Sequence, residues 1–217
     1  MIGERSLINC EVSIRDAGSE INELPEEFGE FSEVDEMPEE FGNDYSKNVL
    51  KKDEVQTVYY DDYGKIYRIG DSLVPENTYE VKGYLYETDS MGRITSASGE
   101  LRIKQHEGRL PLNEGMDKIG KGDGKETDDR GHLIGDQFDG CNRLENLVPM
   151  DAKLNRGDFV TLENRLADAV KDGKKVYLKV EPVYSGDSYR PDGFWVTYSI
   201  DGEESVVYFE NGGSKNE

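Results

Sequence analysis

Asp129-Arg130-Gly131-His132-Leu133-Ile134-Gly135, then Glu145-Asn146-Leu147-Val148-Pro149-Met150, then Asn155-Arg156-Gly157 and Leu162-Glu163-Asn164, run through the middle of the chain as strand, loop, strand and helix. The run Asn146–Met150 is short and apolar and reads as a strand. Beyond it Phe159, Leu162, Leu166, Ala169 and Val170 recur at spacings of three and four, which predicts an amphipathic helix over 156–172. Asp151 is placed as a helix N-cap, and Lys171-Asp172-Gly173 closes the helix with basic charge and a glycine stop. His132 precedes this strand-helix unit. Arg130 and His132, two apart on an extended segment, face the same side.

The chain holds two histidines, which concentrates the search for a base working near neutral pH. His106, between Gln105 and Glu107, reads as a surface residue. His132 has better company. An Arg fork at position 130 suits a phosphate, or pairs with Asp128 or Asp129. Asn155 and Glu163 are separated by eight residues, about 80° around an α-helix. Asn155 offers a neutral oxygen or caps the helix. Glu163 offers charged oxygens or faces solvent. A hard divalent cation takes such oxygens and keeps several waters where the protein supplies few.

Outward from this core the chain alternates strands and turns, as 13 Tyr and 24 Gly suggest. Thr57–Tyr60 and Lys65–Ile69 flank a Gly-containing turn. Tyr79–Glu87 and Arg93–Ile103 flank Asp89-Ser90-Met91-Gly92. Lys175–Glu181 alternates, and Phe194–Ile200 and Ser205–Phe209 flank Asp201-Gly202. Residues 107–127 read as a long loop, where Lys118, Lys121 and Lys125 are candidates to meet phosphate.

The net charge is −21, an awkward value for a protein that handles a polyanion. It is unevenly spread. Residues 1–45 carry 14 acids and two Arg, a net of −12, and the remainder carries 33 acids and 24 bases, a net of −9. The first segment also duplicates Glu23-Leu24-Pro25-Glu26-Glu27-Phe28-Gly29 as Glu36-Met37-Pro38-Glu39-Glu40-Phe41-Gly42. It reads as a weakly ordered acidic linker, or as an arm that competes with phosphate or docks a partner. The boundaries expected are 1–50 for this segment, 51–210 for a single catalytic domain and 211–217 for a flexible tail. No apolar run approaches the length of a membrane span, and the start of the chain lacks the basic-then-apolar pattern of a signal peptide. Cys10 and Cys141 have no metal-site spacing and read as free thiols, with a disulfide as the alternative.

Taken whole, 128–165 resembles the DNA/RNA non-specific endonuclease family, the DRGH-motif nucleases of ββα-metal (His-Me finger) type. The hairpin Tyr84–Arg93 also looks like segments upstream of the motif in bacterial members. The resemblance implies an α+β fold with an antiparallel sheet carrying the ββα-metal motif. It implies hydrolysis of DNA or RNA with Mg²⁺, or with Mn²⁺ in its place. His132 is then the general base, Asn155 the direct metal ligand and Glu163 the holder of metal-bound water. Arg130 handles the substrate phosphate or positions the site. Asn146 anchors the loop around His132, and Asp129 is structural. Two departures stand out. His132 is followed by Leu-Ile-Gly-Asp rather than by the Leu/Ile-x-Pro of some members, and position 167 is Ala where some relatives carry a second Arg, a place that Arg165 or Arg156 would fill. Relatives of this kind serve as secreted nucleases or as toxin modules paired with an immunity protein, which is the expectation for partner and destination; no membrane is implied. The competing expectation is a catalytically silent domain whose acidic arm mimics nucleic acid.

Overall fold

The computed structural model describes residues 57–105, 108, 112 and 114–212. His106, Cys10 and the duplicated acidic segment lie outside the described residues. The chain divides into two units, residues 1–59 and 60–217, and among the described residues every helix belongs to the second. Strand β1 (Val58–Tyr60) falls at the division.

Antiparallel strands dominate, as the alternating segments predict. β2 (Ile66–Ile69) and β3 (Ser72–Leu73) form a small hairpin. β4 (Thr78–Val81), β5 (Tyr84–Thr88), β6 (Ile94–Glu100), β9 (Val176–Val183), β10 (Gly193–Ile200) and β11 (Glu203–Glu210) make one sheet in the order β11-β10-β9-β6-β5-β4. Every neighbouring pair in it is antiparallel. Side chains alternate between its faces. Tyr84, Tyr86, Leu178, Val180, Phe194 and Val196 are buried, whereas Leu85, Tyr177 and Trp195 look outward.

The second layer is the motif itself. β7 (Asp128–His132) pairs antiparallel with β8 (Leu147–Asp151), His132 opposite Leu147. Gly131 is required there, because Met150 packs where a Cβ would stand. Asp151 caps the following helix by accepting from the amides of Lys153 and Leu154. That helix begins earlier than its periodicity predicts. α2 (Ala152–Leu154) runs into a π-helical turn (Asn155–Phe159) and then into α3 (Val160–Lys171). Phe159, at the end of the π turn, meets Phe194 edge-on at 6.0 Å and Phe209 at 5.7 Å, which seats the helix on the sheet. Leu166, Ala167 and Ala169 bury the same side.

Two expectations are corrected. The segment 107–127 contains a short helix, α1 (Met116–Gly120), too brief to show a period. Gly120 approaches Pro149 of β8 so closely that a Cβ would lie 3.0 Å from its ring. Asn211, at the head of the segment expected to be a tail, is buried: its amide donates to the carbonyls of Pro149 and Pro191, and its oxygen accepts from the amide of Asp151. Arg190 completes the anchorage with a bidentate pair to Asp128 at 2.7 and 2.8 Å. Among the described residues no helix is long and apolar enough to cross a membrane.

Candidate active site

His132 ends β7 and is 6% exposed. The chain then leaves the strand through Leu133-Ile134-Gly135 and loops back to β8 at Leu147. Asn146 holds this loop shut. Its Nδ2 donates to the carbonyls of Ile134 at 2.8 Å and Cys141 at 2.9 Å, and its Oδ1 accepts from the amide of Ile134 at 2.9 Å. It is wholly buried, so each of these bonds replaces one that water would otherwise make. Below the loop Glu145 accepts from the Tyr67 hydroxyl and the Cys141 thiol, and Arg68 pairs with Glu114 at 2.6 Å. Cys141 stands there as a buried thiol.

Asp129, on the same strand, faces the helix. Its Oδ2 accepts from Asn155 Nδ2 at 2.9 Å, and both of its oxygens accept from the Arg156 guanidinium. Asn155 is therefore no helix cap: the cap is Asp151, and the amide of Asn155 is aimed by a carboxylate across the motif. With its NH₂ turned to Asp129, the amide turns its oxygen, an acceptor only, away from that carboxylate.

The π turn changes the angular arithmetic. A turn bonded i→i+5 absorbs one residue, so eight positions from Asn155 to Glu163 advance the helix by about seven α-helical steps. That closes the expected 80° to about 20° and puts both side chains on nearly one face. Glu163 reaches back to β7's exit loop: its carboxylate fills the space where a Cβ on Gly135 would stand. A Cβ at 135 would therefore displace the Glu163 carboxylate.

The arginines fare differently from one another. Arg130 donates from Nη1 to the carbonyls of Glu114 at 2.9 Å and Leu112 at 3.3 Å, and so binds the segment before α1 to β7. Asp128 and Asp129 are paired with Arg190 and Arg156. Arg156 is 73% exposed at the side chain despite its pair. Arg165 lies over the Tyr198 ring and donates to its hydroxyl at 3.1 Å. Lys118 and Lys121 are engaged within the fold, by Asp71 and by Ser72 and the Tyr189 ring respectively.

Three residues of the site carry no signal in the sequence: Asn142, which meets His132 Nε2 through Oδ1; Asp136, which accepts from Asn142 Nδ2; and Lys104, paired with Asp136. Asp136 opens a short 3-10 turn, and the other two lie in segments without regular structure, none of them with a period.

The donor set suits a hydrated hard cation. Among the described residues no cluster of three or more His, Cys, Asp or Glu side chains could cage a metal. One aimed amide oxygen with one carboxylate on the same helix face is instead the set for an ion that keeps most of its waters.

The sequence profile of the DNA/RNA non-specific endonuclease family matches residues 75–202, more than half of the chain. The chain belongs to that family. It is similar to the type VII secretion system protein EssD of Staphylococcus aureus (strain USA300), 34% identical over 131 residues that make up 57% of this chain and 21% of that protein. The same protein from strain NCTC 8325 / PS 47 matches to the same extent. The chain thus aligns with about a fifth of the length of these relatives. Among solved structures, the Sda1 nuclease with a bound zinc ion is 28% identical, covers 40% of this chain and 39% of its own, and has a TM-score of 0.38. An extracellular endonuclease is 23% identical over 62% of this chain and 81% of its own, with a TM-score of 0.44. The family nuclease is a metal-dependent phosphodiester hydrolase that does not read sequence, and the α+β expectation stands on the observed sheets and helices.

Proposed function

We propose that this chain cleaves DNA and RNA by a base-and-metal mechanism centred on His132, Asn155 and Glu163. The observation that carries the reading is the convergence of the motif: Asp129 on the base's strand aims the amide of Asn155, while Glu163, on the same helix face, lies against Gly135, three residues after His132. His132 takes the proton of the attacking water near neutral pH. Asn155 Oδ1 and Glu163, directly or through water, would hold hydrated Mg²⁺, with Mn²⁺ as the substitute. Bound there, the ion supplies Lewis-acid stabilisation of the charge on the phosphate and the leaving oxygen. Arg156 and Arg165, both on the exposed side of the helix, meet substrate phosphates. Arg130 serves by holding the segment at 112–114 in place. None of these groups addresses a base edge, so sequence goes unread.

The resemblance to part of a type VII secretion system protein supports a nuclease module that is exported to act on another cell and is silenced at home by a cognate inhibitor protein. Plasmid nicking tests the reading. Cleavage of duplex DNA and of RNA should require Mg²⁺, stop with EDTA and fall by at least about a hundredfold in His132→Ala. Metal-independent cleavage, or a His132→Ala variant as active as the parent, would sink it. Growth arrest on expression without an inhibitor, absent in His132→Ala, tests the toxin role.

A further inference from the structure

Tyr79 and Tyr86 stand directly opposite each other on β4 and β5, so their rings leave the sheet on the same face. The rings stack with centroids 5.6 Å apart and planes at 16°, and Tyr67 stacks on Tyr79 in turn, at 4.7 Å and 20°. Glu145 marks the hydroxyl end of this row. Its Oε1 accepts from the Tyr67 hydroxyl at 3.1 Å and from the Cys141 thiol at 2.9 Å. Tyr79 is 1% exposed, and Tyr86 and Glu145 are 0% exposed. Three polar atoms of this group nonetheless have no hydrogen-bond partner among the described residues: the hydroxyls of Tyr79 and Tyr86, and Oε2 of Glu145. Buried polar atoms are nearly always bonded, and one left over calls for an ordered water or an ion.

The geometry explains why the protein does not satisfy these atoms by itself. The ring spacing of the stacked pair is roughly twice the length of an O–H···O bond, too far for one hydroxyl to reach the other. Arg68 Nη1 lies 3.6 Å from Glu145 Oε2, beyond hydrogen-bond reach, and bonds Glu114 at 2.6 Å. Burial pushes both phenols well above their ordinary range, and Glu145 and Cys141 push each of them higher, so both hydroxyls keep their protons. The group therefore offers two O–H donors and one carboxylate oxygen, which only accepts. A ligand that suits it accepts twice and donates once. Water does this. A cation would draw on all three oxygens, but the Arg68 guanidinium beside Oε2 opposes it, and three oxygens are about half the set that a hard cation takes.

We propose that the hydroxyls of Tyr79 and Tyr86 and Oε2 of Glu145 form the binding site of one buried water, which accepts from both phenols and donates to the carboxylate. Three bonds are the usual complement of a buried water. This one joins two strands of the large sheet to the turn Leu144–Asn146, from which Asn146 closes the loop that follows His132. The sheet and the motif thus meet through the water as well as through the Tyr67–Glu145 bond. The site includes none of the groups assigned to catalysis, and it stands whether or not His132 is the base.

The test uses the full chain, with Tyr79→Phe, Tyr86→Phe and the two together, each of which removes only hydroxyl oxygen and leaves the ring stack in place. The sign of the change in melting temperature decides. A buried hydroxyl without a partner is a burden, so its removal leaves the Tm unchanged or raises it. A hydroxyl bonded to the water is an asset, and each single variant should melt about 2–4 °C lower than the parent. Oxygen-17 relaxation dispersion of the solvent, which counts waters held inside the protein, should find one fewer in the double variant than in the parent. A crystal structure of the parent should show one density peak within hydrogen-bond distance of all three oxygens. A Tm unchanged or raised in either single variant, an equal count of held waters in parent and double variant, or no shared peak overturns the site. Melts in NaCl, KCl and tetramethylammonium chloride at equal ionic strength separate the water from a cation: a parent stabilised by Na⁺ or K⁺, with that gain lost in the double variant, overturns the water in favour of a bound ion.

Discussion

Asp129 decides what Asn155 can offer. Its carboxylate takes the Asn155 NH₂ and the Arg156 fork together, which turns the Asn155 oxygen away from Asp129, as the proposed metal role requires. Groups that orient a metal ligand in this way typically account for a 10- to 100-fold share of metal affinity. Asp129→Ala should therefore raise the Mg²⁺ concentration for half-maximal activity by about tenfold, with activity at saturating Mg²⁺ largely restored. Arg156→Ala, which removes only the exposed partner, should shift it much less. A magnesium titration of the nicking rate reads both. An unchanged midpoint in Asp129→Ala would mean that Asn155 needs no help to face the ion. The proximity of the segments that carry His132, Asn155 and Glu163 was legible from the motif run and the strand-helix reading. Asp129 was read as structural without its partners, and Asp136 and Asn142 were not read at all, because they belong to turn-like stretches where a polar residue is expected for other reasons.

At the scale of elements, the strands were legible because half-buried strands alternate, as Tyr84-Leu85-Tyr86 does, and β8 because a short apolar run between a turn and a cap has few other uses. The helix was legible from Phe159 onward, where the apolar positions recur. Its first four residues, Ala152–Asn155, were not, since Leu154 alone defines no period and a π turn interrupts the one that starts at Phe159. That turn sets the phase between Asn155 and Glu163. Deleting Gly157, which has open space around it, turns the π turn into an ordinary one and leaves the two side chains seven positions apart, again about 20°. Inserting one Ala there opens the angle to about 80°. The deletion should keep activity within about tenfold while the insertion loses a hundredfold or more. Equal losses in both would show that the turn carries no phase information.

The loop between β7 and β8 adds a second prediction at this scale. Asp139 takes Lys82 and Arg102, and Asp136 takes Lys104, so two carboxylates tie the loop to the sheet side. Burial raises both, but the bonded cations outweigh it and hold both below the ordinary range. A carboxyl whose folded value is depressed adds stability above its unfolded value and loses it as pH falls through the folded one. The loop should thus loosen only in acid, below the ordinary carboxylate range. In melts across that range, Asp139→Asn should start less stable than the parent at neutral pH and lose less on acidification. Parallel curves would remove Asp139 from the account.

For the whole molecule the question is how a chain of net −21 approaches a polyanion. The rest of the chain is less hostile: the net charge outside residues 1–45 is −9, and Arg156 and Arg165 stand exposed on the helix that carries Asn155 and Glu163. The remaining −12 is concentrated in the first 45 residues, which lie outside the family match. Repulsion from that segment acts over about 10 Å at 0.1 M salt and over about 30 Å at 0.01 M. Removing residues 1–45 should therefore raise kcat/KM severalfold at low ionic strength, chiefly through KM, and the gain should vanish toward 1 M, where screening shortens to about 3 Å. Because kcat is set by groups within the motif, it should not move. A gain that persists in high salt would point to physical obstruction of the site by the segment, and no gain at any salt would show that its charge never reaches the substrate's path.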